Sequence, residues 1–383
     1  MVNGKRILYV IDDASRNGGA HIATRRLIGA LRRVGHQVDL LCETAPTAEQ
    51  KNNMGCPIVY VLPIKYHSIR WLLCGLWRRI ARSLVYPNFL LDPLGNMLRT
   101  MRKSDVVCVM SEGSIFRNIV SSLPSEVRKV QLIHTNYRQW RKHSDCSRMI
   151  TYKDDLIYSR MDVIGVVGKI GMEEFQSEYY RCRGKVFAFY NMLEKVHDKC
   201  WRQNPSKVVL VTIARIEDKE AKDGDRMLRV ARRIKNTGIA YTWDIYGSSE
   251  KSMAKYNSIA EKYGISECFK VHSYSPDVFH HMAKADVLVL LSHYEGLPNV
   301  VYESFQVGTP VFATSVGGVP EQIKDGYNGW LVEDDEETIC SRLRQVLQDY
   351  AEIERLHQNL ADYTYDNNVA MRSHMRLLGV EGR

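Results

Sequence analysis

The 383-residue chain lacks the marks of several protein classes. No run reaches the roughly 18 uncharged apolar residues that a membrane-spanning helix usually needs. Its nine cysteines stand singly, without a Cys-x-x-Cys pair or a His/Cys cluster at metal-ligand spacing, which disfavours a zinc site and a disulfide framework. The first apolar run, 7–11, is too short for the core of a signal peptide. We therefore expect a globular, cytoplasmic protein with reduced, buried thiols.

What the chain has is positive charge and length. Its formal net charge of +9 favours an anionic partner such as nucleic acid, anionic lipid or a phosphorylated substrate. Charged residues make up 25% of the sequence, which is ordinary for a soluble protein, so the placement of the charges has to distinguish these partners. A chain of this length exceeds what one hydrophobic core usually serves, which predicts two domains.

Strand-like apolar runs alternate with amphipathic segments along the chain, which predicts parallel, doubly wound sheets. The opening illustrates the pattern, with a strand at 6–11, a glycine turn at 17–20, a helix at 22–34 and a second strand from 37. A polar stretch containing Pro205 separates two such alternations, and the second includes a long amphipathic helix at 336–357. We predict a first domain at 1–190, a linker at 191–207, a second domain at 208–360 and a tail at 361–383 that returns to the first domain.

The strongest local signal lies at 285–332. A buried strand at 287–291 leads into the loop 292–298, and loops at the carboxyl ends of parallel strands are where ligands bind in such sheets. A helix begins near Asn299, which we expect to cap it, so its N–H groups and dipole favour an anion such as a diphosphate. Gly296 allows the ligand to approach the backbone closely.

Two carboxylates frame this loop and helix. Glu295 lies in the loop and Glu303 lies eight residues later in the helix. A carboxylate is a good acceptor for paired sugar hydroxyls, so two of them around a diphosphate site indicate a nucleotide sugar. The spacing alone equally fits a second interpretation, in which Glu295 is an ordinary surface charge of the loop and Glu303 a solvated charge of the helix.

The run from Glu295 to Glu303 is an E-x7-E motif in the setting EGLPNVVYE, and with the following VGTPVFATSVGGVPEQI it resembles glycosyltransferase family 4. Further segments occur in the family's order, namely GGA, FYN, VTIAR and DIYG. The resemblance covers most of the chain and is weakest at about 45–100. It implies an α/β protein of the GT-B fold, with two Rossmann-like, doubly wound parallel-sheet domains facing across a cleft. It also implies a retaining enzyme that moves a hexose-type sugar from a nucleotide-sugar donor.

The resemblance assigns roles to individual residues. Glu303 would bind the ribose hydroxyls of the donor nucleotide, and Glu295 would contact hydroxyls of the donor sugar. His134, at the end of a predicted strand, would lie near the donor sugar, in a positioning or oxyanion role rather than as a general base. The other residues expected to contact the donor are Gly18, Gly19, Gly247, Gly296, Leu297, Pro298 and Asn299.

A cationic group follows the strand at 208–214. Arg215 ends that strand, and Lys219 and Lys222 come after it. A guanidinium and an ammonium there would neutralise the diphosphate leaving group, so we expect no metal ion and no cofactor beyond the nucleotide sugar. The family's usual pattern is Arg, a short gap and Lys-Gly, whereas this chain carries an insertion before Gly224. We assign Lys222 to the diphosphate because it is nearest the glycine, with Lys219 as the substitute.

Segment 65–103 combines an apolar helical face with arginines and tryptophans. This composition fits a helix lying on an anionic membrane, and equally an amphipathic helix packed on the first domain. In the first case the acceptor would be a lipid-linked sugar at the inner face of the cytoplasmic membrane. We expect a glycan or lipid-linked acceptor, in the assembly of cell-surface polysaccharide or glycolipid.

Three other classes fit parts of the sequence. A noncatalytic nucleotide-sugar binder, or a GT-B epimerase or phosphorylase, keeps the fold without the transfer. A basic nucleic-acid-binding protein fits the charge, but no nucleic-acid-binding motif is present, so we expect no nucleic-acid partner. A nicotinamide dehydrogenase shares the opening strand and helix, but the first glycine turn lacks the G-x-G-x-x-G pattern.

Overall fold

The chain forms two compact units, the first comprising Met1–Met192 and Asn367–Arg383 and the second comprising Leu193–Asp366. The computed structural model describes residues 4–11, 18–42, 58–60, 96–110, 116–136, 148–196, 207–217 and 221–380. Lys219 and residues 65–95 of the amphipathic segment lie outside the described residues. None of the described helices is long and apolar enough to cross a membrane.

The first unit is built on a parallel sheet whose described strands run in the order β3-β2-β1-β4-β5-β6-β7. Such strands are covered on both faces, which explains why β4 and β6 are buried at every position. The strands are β1 (Arg6–Ile11), β2 (Gln37–Cys42), β3 (Ile58–Tyr60), β4 (Val106–Val109), β5 (Arg128–Ile133), β6 (Val163–Val167) and β7 (Val186–Phe189). The helices between them are α1 (Gly19–Arg33), α2 (Asn96–Lys103), α3 (Phe116–Ser121), α4 (Arg148–Arg160) and α5 (Lys169–Glu178), followed by a short 3-10 helix (Tyr180–Lys185).

The second unit contains another parallel sheet, in the order β10-β9-β8-β11-β12-β13. The chain progresses in one direction from β8 to β10 and in the other from β11 to β13. The boundary between the adjacent strands β8 and β11 is therefore the topological switch point. Doubly wound sheets bind ligands there, at the carboxyl ends of the strands. The strands are β8 (Val208–Ile213), β9 (Tyr241–Ser248), β10 (Phe269–Ser273), β11 (Val287–Leu290), β12 (Val311–Thr314) and β13 (Gly329–Val332).

Helices cover both faces of this second sheet. One buried cluster includes Trp243 and Trp330, and the other includes Val301 and Phe305. The helices are α6 (Gly224–Lys235), α7 (Glu250–Lys262), α8 (Val278–Ala283), α9 (Asn299–Gln306), α10 (Val319–Gln322), α11 (Glu336–Gln348) and α12 (Tyr350–Asn359). The single helix predicted at 336–357 is wrong, because Asp349 ends α11 and its side chain accepts a hydrogen bond from Glu352 N at 3.0 Å, capping α12.

The last helix, α13 (Asn367–Leu378), packs on the sheet of the first unit. Gly165 in β6 makes room for it, since a Cβ at this position would lie 2.6 Å from Leu377 Cδ1. Arg128 Nε donates to the carbonyl oxygen of Leu377 at 3.0 Å, and His374 Nε2 lies 3.0 Å from the carbonyl oxygen of Tyr190. Helix α13 is therefore held on the first unit by packing against β6 and by these two hydrogen bonds.

Candidate functional site

The candidate site lies at the carboxyl ends of four adjacent strands of the second sheet. Arg215 follows β8, Gly247 is the penultimate residue of β9, Glu295 lies in the loop after β11 and Gly317 follows β12. Because parallel strands end at the same edge of their sheet, these residues come to one side of the second unit although they are distant in sequence.

Lys222 and Glu295 form the polar centre of this edge. The Lys222 ammonium donates to Glu295 Oε1 in a short ion pair and to Ser292 Oγ at 3.3 Å. Ser292 Oγ in turn donates to Glu295 Oε1 at 2.7 Å. The side chains of Lys222 and Glu295 are 22% and 11% exposed, so a charge-assisted contact is screened less here than on an open surface. The loop after β8 and the loop after β11 thus present one cation and one carboxylate together.

The backbone fixes the loop that carries Glu295. Thr314 Oγ1 donates to the carbonyl oxygen of Ser292 at 2.6 Å, which joins the loop to the end of β12. Gly318 N donates to the carbonyl oxygen of Gly296 at 2.7 Å. Gly317 has a φ of +53°, and a Cβ there would overlap the Glu295 carbonyl oxygen. Glycine is required at 317 for both its backbone angle and this close approach.

Helix α9 starts one residue earlier than its sequence suggests. Pro298 occupies the N-cap position, and Asn299 is the first helical residue, so the prediction that Asn299 caps the helix is wrong. Proline suits a helix start because its φ is already fixed near the required value, here −67°. Pro298 makes no side-chain cap hydrogen bond, and the positive end of the helix dipole is directed at the loop. Glu303 is half-buried on the same helix, four residues after Asn299.

The other predicted donor residues of this unit differ in their accessibility. Arg215 is exposed just beyond β8, and Gly296 is half-buried. Leu297 is only 5% exposed, and Pro298 is also buried, so both support the loop from within. Gly247 has a φ of +113°, and a Cβ there would lie 3.1 Å from the carbonyl oxygen of Ala214, so glycine allows β9 to end against the segment that carries Arg215.

A second polar network adjoins this edge, and sequence reasoning missed it. Asp223, directly after Lys222, caps α6 by accepting a hydrogen bond from Arg226 N at 3.0 Å. Asp334 forms an ion pair with Arg226 Nη2, and His293 lies between Asp223 and Asp334. An aspartate immediately before a helix is a recognisable capping signal, whereas nothing in the local sequence indicates the contact to Asp334.

The first unit carries the remaining predicted residues. Gly18 is the N-cap of α1 and Gly19 is its first residue, while His134 follows β5 directly. Both ring nitrogens of His134 are buried, and the ring packs edge-to-face on Phe189, with ring centroids 4.9 Å apart. Burial, with smaller contributions from His374 and His21, lowers the pKa of His134 to about 3. The imidazole is therefore neutral at ordinary pH and poorly suited to accept a proton.

The structure thus assembles the predicted residues in two groups, each within its own unit. Arg215, Lys222, Glu295 and Gly296 lie at the carboxyl edge of the second sheet, and Gly18, Gly19 and His134 lie at that of the first. Within the described part of the chain, no group of three or more His, Cys, Asp or Glu side chains is arranged to hold a metal ion.

Parts of the sequence are similar to known proteins. Residues 195–366 match the family model described as "Glycosyl transferases group 1". The Vi polysaccharide biosynthesis protein VipC/TviE of Salmonella typhi is 41% identical over 75 residues, which are 20% of this chain and 13% of that protein. The putative colanic acid biosynthesis glycosyltransferase WcaL of Salmonella typhimurium is 28% identical over 145 residues, which are 36% of this chain and 35% of that protein. The matches thus span little more than a third of these relatives at most.

Solved structures match over nearly the full length. The crystal structure of Anabaena Alr3699/HepE in complex with UDP and glucose has a TM-score of 0.71 at 13% sequence identity, covering 98% of this chain and 99% of that one. Together with the two parallel sheets, this likeness confirms the predicted fold class, α/β with two Rossmann-like, doubly wound domains of the GT-B type.

Proposed function

We propose that this protein is a retaining glycosyltransferase that moves a hexose-type sugar from a nucleotide-sugar donor to a glycan or lipid-linked acceptor. The observation that carries the proposal is the Lys222–Glu295 pair, at the switch point of the second sheet and beside the start of α9, whose N-cap is Pro298. A diphosphate needs positive charge and N–H donors, and a sugar needs a carboxylate acceptor. These requirements meet at this one edge.

The donor diphosphate would bind between Arg215, Lys222 and the start of α9. Arg215 contributes a planar guanidinium, Lys222 contributes a compact ammonium, and the helix contributes its dipole. Glu295 would then accept hydrogen bonds from the sugar, and Glu303 from the ribose. Because Lys222 already contacts Glu295, the groups for phosphate and sugar are adjacent before the donor arrives.

The same groups would assist departure of the nucleoside diphosphate. Negative charge grows on the leaving phosphate in the transition state, and cations and helix donors fixed in advance stabilise it without a metal ion. With retention, the leaving phosphate itself can take the proton of the acceptor hydroxyl on the same face of the sugar. The neutral imidazole of His134 suits a positioning or hydrogen-bonding role in this scheme.

The family match and the names of the relatives support glycosyl transfer and the choice of acceptor class. One sequence relative is named for the biosynthesis of Vi polysaccharide and the other for the biosynthesis of colanic acid. The structural relative was crystallised with UDP and glucose. We accordingly assign the protein to the assembly of cell-surface polysaccharide or glycolipid. Contact with an anionic membrane through segment 65–103 is part of this proposal.

Transfer from a panel of UDP-, GDP- and ADP-sugars to glycan and lipid-linked acceptors tests the function. We expect one donor to support transfer, with the product keeping the donor's anomeric configuration by NMR. Glu303→Ala should abolish transfer, while Glu261→Ala, an exposed helix residue of the same unit, should leave it intact. Donor binding without transfer would indicate a noncatalytic nucleotide-sugar binder, and salt-sensitive binding of nucleic acid with no nucleotide-sugar binding would indicate a nucleic-acid-binding protein.

A further inference from the structure

His293 lies between two carboxylates next to the candidate site. Its Nδ1 is 3.0 Å from Asp334 Oδ2, and its Nε2 is 3.3 Å from Asp223 Oδ2. The three side chains are between 17% and 32% exposed, so the arrangement is partly screened from water. A carboxylate only accepts hydrogen bonds, and a neutral imidazole has only one N–H. With both carboxylates ionised, the ring donates to both of them when it carries an N–H on each nitrogen.

Both carboxylates are held in place by other groups. Asp223 Oδ1 accepts the hydrogen bond from Arg226 N that caps α6, and Asp334 Oδ1 pairs with the Arg226 guanidinium, whose side chain is 5% exposed. On the solvent side, Arg229 lies 3.7 Å from Asp223 and 2.8 Å from Glu336. The charged groups around the ring are therefore Asp223, Arg226 and Arg229 from the start of α6, Asp334 and Glu336 from the start of α11, and Glu295 from its own loop.

This arrangement joins the two loops that carry the polar centre of the site. Asp223 follows Lys222 directly and has a φ of +41°, the one non-glycine residue with a positive φ among those described. Such a conformation is unfavourable for most residues and persists when its surroundings hold it. His293 follows Ser292 and precedes Glu295 by two residues, and its N–H donates to the carbonyl oxygen of Ala221 at 2.8 Å. His293 thus contacts the turn that carries Lys222 in two ways, through its backbone N–H to Ala221 and through its ring to Asp223.

We propose that His293 is a positioning residue for donor binding, whose charged ring between Asp223 and Asp334 fixes the turn that carries Lys222 against the loop that carries Glu295. The inference rests on the proposed function. His293 acts through Lys222, and its ring is engaged by the two aspartates rather than by substrate. Release of this contact frees the strained turn at Asp223 to relax and displaces the Lys222 ammonium from the diphosphate position.

Two single variants and their combination test the proposal. His293→Ala removes the ring. Asp223→Asn removes one charged acceptor but keeps a good helix cap and a residue that tolerates positive φ. A displacement of about 1 Å at a reacting group can cost about 100-fold in rate, so we expect a loss of about 10- to 100-fold in kcat/KM for the donor, mainly through a higher KM. Because both changes break the same contact, the double variant should lose no more than the worse single variant.

Nucleotide affinity gives a second readout, because the inference assigns His293 to donor binding rather than to the chemical step. Affinity for UDP, GDP or ADP, whichever binds best to the wild type by calorimetry, should be lower in His293→Ala. His280→Ala, which removes an exposed histidine of the same unit, serves as the matched control and should behave as wild type.

The outcomes separate this inference from the proposed function. If the wild type binds none of the three nucleotides and transfers no sugar, the proposed function fails and this inference fails with it. If the wild type binds and His293→Ala or Asp223→Asn shows the same nucleotide affinity and the same kcat/KM for the donor, this inference alone fails. If His293→Ala does not fold, Asp223→Asn, with its helix cap retained, decides the question by the same two measurements.

Discussion

Replacement of Gly317 by alanine tests whether the loop carrying Glu295 is part of the ligand site. The change adds one methyl group at a backbone position with a φ of +53°. The new Cβ would overlap the Glu295 carbonyl oxygen, which belongs to rigid backbone rather than to a flexible side chain. The loop therefore has to move, and it would carry the Glu295 carboxylate with it.

The structure allows two effects of this substitution to be separated. The positive φ alone should lower the free energy of unfolding by about 1 kcal/mol. Relief of the overlap requires a shift on the order of 1 Å, and a misplacement of that size can cost about 100-fold in rate. We therefore expect kcat/KM for the donor to fall by about two orders of magnitude, which is more than the loss of stability explains.

Gly326→Ala is the matched control. Gly326 has a φ of +70°, but a Cβ there meets nothing within 4 Å, so this variant has the backbone strain without the overlap. Urea denaturation should show similar losses of stability from strain in the two variants, with any excess in Gly317→Ala arising from the overlap. Donor affinity by calorimetry should fall only in Gly317→Ala. Equal affinity in both variants would show that the position of Glu295 has no bearing on donor binding.

Three further predictions concern the rest of the molecule. Gly165→Ala should lower the free energy of unfolding by about 1–3 kcal/mol in urea denaturation, because its Cβ would lie 2.6 Å from Leu377 Cδ1 and 2.7 Å from Leu132 Cδ2, whereas Gly184→Ala, with open space, should not. Burial lowers the pKa of His374 from 6.5 to about 4, so the unfolded chain binds more protons between these values, and stability should fall as the pH drops from about 6.5 towards 4. That decline should be smaller in His374→Gln, and an unchanged pH profile of unfolding would contradict the assignment. Sugar transfer should keep its rate in excess EDTA, because Arg215, Lys222 and the start of α9 supply the positive charge; a loss restored by a divalent ion would refute this.

The strands were the most predictable part of the structure. Parallel strands covered on both faces are largely apolar, and the strand predicted at 6–11 has the bounds of β1. The helix predicted at 336–357 failed because α11 and α12 both bury one face, and the apolar pattern continues across their junction. The sequence contained a correcting signal, since Asp349 precedes Glu352 by three residues, the spacing of a helix N-terminus.

The contacts of the site were predictable only in part. The parallel order of strands places Lys222 and Glu295 at one edge of a sheet, and Gly224, the first residue of α6, favours Lys222 over the lysine three residues earlier. Their direct contact joins residues 73 positions apart, and the contact of His293 with Asp334 joins residues 41 positions apart. Polar contacts of this range leave no periodicity in a sequence, because they depend on loop conformations rather than on which face is buried.

The position of Glu295 depends on contacts from the ends of two other strands. The end of β12 contributes the Thr314 hydroxyl bond to the Ser292 carbonyl and the close approach of Gly317, while the turn after β8 contributes the bond from His293 N to Ala221. Each contact involves the backbone of the loop after β11, so its geometry does not depend on the rotamer of one surface side chain. Groups fixed in this way are not reorganised when a ligand binds, which is the condition for strong electrostatic stabilisation of a charged transition state. The continuous sequence signal at 285–332 follows from the same fact, since this stretch supplies β11, its loop, α9, β12 and the glycines that pack back on the loop.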